Sequence, residues 1–231
     1  MKKTLALILI LVLCMSASAA FAAGKLNVAQ ENFHTVSSYS TYSYAYAKVE
    51  NVGDKAIKVN AGVLEIYDEA GDVITSVDYM DAHAEYLQPG EYTYVVMYDD
   101  IEEGSNLPAD YMLTLTGKSD SSVECKRLPV EAAFELGVIE GWWENDYLYA
   151  TVTNDTAEPI YDVEVVLALM DAEGNILYVD DNTLYNIAIA PGSTVIIREE
   201  IPSSFMEYFE ANGIVPASAD AIVYYEVDVE E

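Results

Sequence analysis

The chain has 231 residues, with 10 basic against 40 acidic side chains for a formal net charge of −30, and 52% of it is hydrophobic, a share swollen by 19 tyrosines. Such a negative field repels nucleic acid and anionic membrane, so neither is expected as a partner. The hydrophobic content argues against disorder despite the charge.

Residues 1–22 have the layout of a secretory signal peptide: Lys2 and Lys3 form a basic start, Leu5 to Met15 an apolar run, and Ala20 to Ala22 a small-residue cleavage site. The run is well short of the roughly 20 residues a spanning helix needs, so an exported protein without membrane insertion is expected, extracellular or held at the cell envelope. Cys14 could suggest a lipid anchor, but Leu13 stands where that processing wants a small residue. Cleavage leaves Cys125 as the single cysteine, which rules out an internal disulfide, and without Lys2 and Lys3 the balance is 8 basic to 40 acidic, or −32.

The first regular segment, "STYSYAYAKVEN" at 40–51, alternates Tyr42, Tyr44 and Tyr46 with small residues until Lys48 and Glu50 take over the same parity. Period-2 alternation predicts a strand. Further strands are predicted through "VLEIYD" at 63–68 and after Pro89-Gly90, with "DEAGD" at 68–72 as a hairpin loop in which Gly71 supplies the positive-φ position.

Shifting the sequence by 103 positions aligns residues 44–74 with 147–177 without a gap, and ten positions are identical: Tyr44/Tyr147, Tyr46/Tyr149, Ala47/Ala150, Val49/Val152, Asn51/Asn154, Ile57/Ile160, Val63/Val166, Leu64/Leu167, Asp68/Asp171 and Gly71/Gly174. That is the mark of a duplication. The match resumes one residue out of step, "LQPGEYTYVV" at 87–96 against "IAPGSTVIIR" at 189–198. The expected fold is all-β: two tandem Ig-like antiparallel β-sandwich domains, residues 24–117 and 123–231, joined by a small polar linker at 118–122. "SSFMEYFEANG" at 203–213, with Phe205, Met206 and Phe209 at helical spacing, predicts a short helix before the last strand.

"LEIYD" at 64–68 and "LALMD" at 167–171 each follow a strand ending in "VxN" and precede an acidic-Gly turn and a Pro-Gly strand start. In this the chain resembles the FxLYD domain family in two tandem copies, with Leu64 and Leu167 in place of the signature Phe and Met170 in place of the second signature Tyr. The resemblance implies a small β-sandwich of exported bacterial and archaeal proteins, with no catalytic residues to carry over.

Comparing the copies predicts which face the tyrosines take. The parity carrying Lys48 and Glu50 cannot face an ordinary sandwich core without stranding two charges, so Ala45, Ala47 and Val49 should point inward. Tyr44, Tyr46, Tyr92, Tyr94 and Tyr98 should point outward, either as well-suited half-exposed strand residues, as an aromatic platform for a cell-envelope glycan or protein, or beneath a cover provided by the other copy or a second molecule.

Catalytic signals are sparse: His34 and His83 stand in unrelated contexts, and there is no nucleophile elbow or phosphate-binding loop. Asp99 and Asp100 with Glu102 and Glu103, and the run Asp180 to Asn182, offer clustered hard oxygens of the kind calcium prefers, neither with EF-hand spacing, the bland alternative being solvated acidic loops; no other cofactor is suggested. Cys125 beside Lys126 and Arg127 is either a buried inert thiol or a reactive one, and Trp142-Trp143 are expected as packing residues more than as a ligand clamp. The sequence therefore points to an exported, non-enzymatic binding or scaffold protein. Its alternatives are a polysaccharide hydrolase using a carboxylate pair and an inert spacer.

Overall fold

The computed structural model describes residues 24–229, so the expected signal segment and Cys14 lie outside the described residues. The described chain is almost entirely antiparallel β-structure, and among its residues no helix is long and apolar enough to cross a membrane. Its first half carries β1 (Leu26–Ser37), β2 (Thr41–Asn51), β3 (Ile57–Tyr67), β4 (Val73–Val77), β5 (Asp81–Ala82), β6 (Tyr86–Leu87), β7 (Tyr92–Ile101) and β8 (Asp110–Ser119). The second half carries β9 (Val123–Arg127), β10 (Val130–Glu140), β11 (Trp143–Thr153), β12 (Val163–Met170), β13 (Ile176–Leu184), β14 (Thr194–Ile201) and β15 (Ser218–Asp228), with the helix α1 (Ser203–Asn212) before β15.

These strands make four sheets. Sheet I has the order β1-β2-β7-β5, and sheet II is built on β3, flanked by β8 on one side and by β4 and β6 on the other. Sheet III has the order β13-β12-β15-β9 and sheet IV the order β10-β11-β14. The duplication is visible in the pairing: Val49 opposite Thr93 in sheet I corresponds to Val152 opposite Val195 in sheet IV, the one-residue slip included. The β3–β4 and β12–β13 ladders each shift register at the equivalent place, after Ile66 and after Leu169.

Sheets I and II enclose one core, in which Ala45, Ala47, Val49, Val95 and Met97 meet Ile57, Val59, Leu64 and Ile66, as the parity of the strands predicts. Sheets III and IV enclose a second, in which Val163, Val165, Leu167 and Leu169 meet Leu148, Ala150 and Val152. The second cluster continues into the first half through Tyr46, Tyr94 and Val96. Sheet III is consequently buried on both sides: along β12 Val166 and Ala168 are as inaccessible as Val165 and Leu167, whereas the equivalent Val63 on β3 is exposed. The molecule is a stack of four layers in the order II, I, III, IV.

Two residue types explain the shared corners. The side chains of Asn51 and Asn154 are fully buried; Asn51 donates to the carbonyls of Lys55 (2.8 Å) and Leu87 (2.9 Å), and Asn154 to those of Glu158 (2.9 Å) and Ile189 (2.7 Å). In the hairpin loops Asp68 Oδ1 accepts the Ala70 and Asp72 amides and Asp171 Oδ1 those of Glu173 and Asn175, while Gly71 (φ 81°) and Gly174 (φ 84°) take the left-handed conformation that closes the turn.

The connection between the halves is shorter than the polar linker suggests. Gly117, Lys118 and Ser119 continue β8 against Val59, Lys58 and Ile57, and a Cβ at Gly117 would come within 2.6 Å of Ile57 Cδ1, so this glycine permits packing rather than bending. Asp120 then ties the turn by accepting the Ser122 amide (3.1 Å) and hydroxyl (2.7 Å). The expected helix forms as α1, burying Phe205 and Phe209 and ending at Gly213 (φ 67°).

Candidate functional site

The tyrosines do point away from their own core, but the face they form is not free. The outer face of sheet III covers it, which corrects the platform expectation for Tyr46 and Tyr94, 1% and 0% exposed, and for the half-buried Tyr92. A polar lock closes this contact: Asp220 Oδ2 accepts the hydroxyls of Tyr92 (2.8 Å) and Tyr94 (2.6 Å), and Lys48 Nζ lies 3.7 Å from the same oxygen and over the Tyr92 ring. Lys48, whose charge marked the face as outer, thus finds its counter-charge on the other half. Burial first, then the Asp220 charge, pushes the Tyr94 hydroxyl far above its ordinary range. Gln30 Nε2 to the Gly174 carbonyl (2.5 Å), Asn32 Nδ2 to that of Ile176 (2.8 Å) and Arg127 to that of Tyr92 (2.5 Å) stitch the border.

At one end the layers part into a cleft of about 200 Å³, bounded by Tyr44, Tyr46 and Tyr98 from sheet I, residues 178–181 of β13, and Phe205 of α1. Tyr44 and Tyr98 survive here as partly exposed rim residues, their rings 5.6 Å apart, with Tyr42 beside them. On the cleft wall His83, 7% exposed, has Nδ1 3.8 Å from Asp81 Oδ1 and Nε2 3.8 Å from Asp181 Oδ1. Burial raises the Asp181 carboxyl above the usual range; His83 offsets this, and Asp81 and Asp180 add to it. Asp181 belongs to an acidic run that the sequence marks as a cation candidate, but nothing in the sequence joins it to Asp81 and His83, which lie almost a hundred residues away in the other half. His34 is a packing residue in β1, its ring against Tyr46, Tyr208 and Phe209, and burial lowers its pKa.

The acidic run behaves differently from the expected calcium cluster. Asp99 accepts from the Thr75 hydroxyl (2.6 Å) and from the Asp100 amide (3.0 Å). Asp99, Asp100 and Glu102 line one pocket with Thr75 and Ser105, while among the described residues the one group of three or more whose ligand atoms all lie within 4.8 Å of one another is Asp81, His83 and Asp181. Cys125 is buried, and burial pushes its thiol up to about 12, the inert alternative of the two.

Trp142 and Trp143 depart furthest from expectation. They sit at the tip of the β10–β11 hairpin, turned by Gly141 (φ 67°), and are 99% and 74% exposed, so they pack no core. Beside them on the open face of sheet IV, Arg198 lies over the Tyr147 ring (4.2 Å) and pairs with Glu140 (2.6 Å), which also accepts the Tyr147 hydroxyl (2.8 Å). This is the face equivalent to the covered tyrosine face of the first copy.

No family model matches the chain, and no curated protein does. Among solved structures, that of the infectious bursal disease virus Gt strain aligns at 9% identity over 92% of this chain and 69% of the other, with a TM-score of 0.21. The T13 IBDV viral particle aligns at 9% over 93% and 66% (TM-score 0.19), and the CBM22-1-CBM22-2 tandem domain of Paenibacillus barcinonensis Xyn10C at 9% over 93% of both (TM-score 0.13). Likenesses at these scores carry no argument about this chain.

Proposed function

We propose that the protein is an exported, non-enzymatic binding or scaffold module, FxLYD-like in its two copies, that contacts a cell-envelope glycan or protein through the β10–β11 hairpin. One observation carries the reading: two adjacent tryptophans stand in solvent at a hairpin tip. Exposed indole is costly to keep in water and stacks on apolar sugar faces or fills pockets of a protein partner. The β10–β11 ladder fixes the hairpin backbone behind the tip, so contact needs to order little more than the two indole side chains.

Retention of the mature protein on cell-envelope fractions and on purified wall glycans tests this. Trp142→Ser with Trp143→Ser should abolish retention while leaving the thermal midpoint unchanged, and retention should not depend on calcium. If Tyr42→Ser with Tyr98→Ser abolishes it instead, the contact belongs to the cleft rim. Release of soluble sugars from the same glycans would favour the hydrolase reading over a non-enzymatic one.

A further inference from the structure

We propose that Asp81, His83 and Asp181 bind one first-row divalent transition cation, zinc being the type, which clamps the two halves of the chain together across the cleft. One ring nitrogen and one oxygen from each carboxylate lie within 4.8 Å of one another. Donors each about 2.0–2.2 Å from a tetrahedral zinc ion stand roughly 3.3–3.6 Å apart, so the three side chains would draw together by up to about 1.5 Å to hold one. Three protein ligands leave coordination positions for water, and a cleft of about 200 Å³ has room for it.

His83 supplies an independent reason. Its side chain is more than nine-tenths buried on the cleft wall, yet both ring nitrogens stop 3.8 Å from the nearest carboxylate oxygen, beyond hydrogen-bond length, and among the described residues neither makes a hydrogen bond. A ring nitrogen without a hydrogen bond is open to ligate a cation, and one of the two would do so here while the other stays beside a carboxylate. The backbone at His83 is fixed for the purpose: its amide bonds to the Tyr94 carbonyl (3.4 Å) and its carbonyl accepts the Thr93 hydroxyl.

Charge points the same way. Asp180 adjoins Asp181, and Glu199 stands close by, accepting from Asn182 Nδ2. Against these carboxylates the cleft sets one imidazole, so the site carries a negative excess that a divalent ion would neutralise. An imidazole ligand selects against calcium and magnesium, which prefer all-oxygen shells, and favours zinc, iron, copper or nickel. Asp81 and His83 belong to the first half and Asp181 to the second, so the bound ion would act as a removable cross-link.

The mature protein, freed of metal with a chelator, is titrated with zinc chloride and separately with calcium chloride by calorimetry, and its imidazole resonances are followed by NMR. With only His34 and His83 in the mature chain, assignment is direct. The expected result is one equivalent of zinc, a shift of the His83 ring signals without the His34 ones, a raised thermal midpoint, and affinity at least tenfold lower in Asp181→Asn and in Asp81→Asn. The second variant changes an edge-strand residue in the other half, so loss of folding in one still leaves a readable test. No zinc binding up to millimolar concentration, affinity in both variants equal to that of the unsubstituted protein, unmoved His83 signals, or calcium bound as tightly as zinc would each overturn the proposal.

Discussion

Asn51 and Asn154 show how much a single buried amide can organise. Each holds two carbonyls with its nitrogen, and its oxygen accepts a loop amide, Gly53 at 3.0 Å or Thr156 at 2.9 Å. Replacing either by alanine strands those groups, so each substitution should cost about 1–3 kcal/mol, read as a lower urea midpoint with unchanged slope. Cys125 gives a second prediction. Its native thiol should resist alkylation at mildly alkaline pH and react only after urea is added; rapid modification of the folded protein would contradict its burial. The identical asparagines were visible in the repeat, but their job was not, because a buried amide's partners are carbonyls, which every residue carries. His83 was no more legible: its partners are fixed only when the halves dock.

At the scale of the elements, alternation and the repeat were enough to place β2, β3 and β7 with their counterparts β11, β12 and β14, the two aspartate-glycine hairpins, the helix at 203–212 and the inward face of each copy. Parity tells which way a side chain points and not what stands opposite. The tyrosines of β2 and β7 were correctly directed away from their own core, and Lys48 rightly excluded that face from an ordinary interior, but the Asp220 that neutralises Lys48 lies on β15 of the other half. Tyr94→Phe removes a hydroxyl bonded to that carboxylate and should destabilise the protein by about 1.5–3 kcal/mol without altering envelope retention. Trp142 and Trp143 were misplaced for a related reason: an aromatic pair beside a strand looks the same whether the hairpin ends inside or outside the sandwich.

For the molecule as a whole, the buried phenols make stability depend on alkali. Tyr46, Tyr92, Tyr94, Tyr178 and Tyr224 all have pKa values raised chiefly by burial. In the unfolded chain they ionise near their ordinary value of about 10, while the folded state keeps their protons. Their contribution is therefore complete below about pH 10 and is lost as the pH rises beyond it. Circular dichroism and tyrosinate absorbance should change together above about pH 10; ionisation of these residues with the fold intact would refute their burial. Added salt should raise the thermal midpoint, because a chain with so large a negative excess repels itself.

The docking of the halves also bears on assembly. It joins the β2–β7 face of one repeat to the β12–β15 face of the next, two different surfaces of the same unit, and head-to-tail joints of that kind can propagate without end. The ends of the molecule, sheets IV and II, are the counterparts of the two joined faces. What stands there in place of the lock differs: Thr151, Thr194 and Ile196 replace Lys48, Tyr92 and Tyr94, and Met112 replaces Asp220. Neither outer face carries the residues of the lock, so an identical joint to another unit would lack the charge pairing that closes this one.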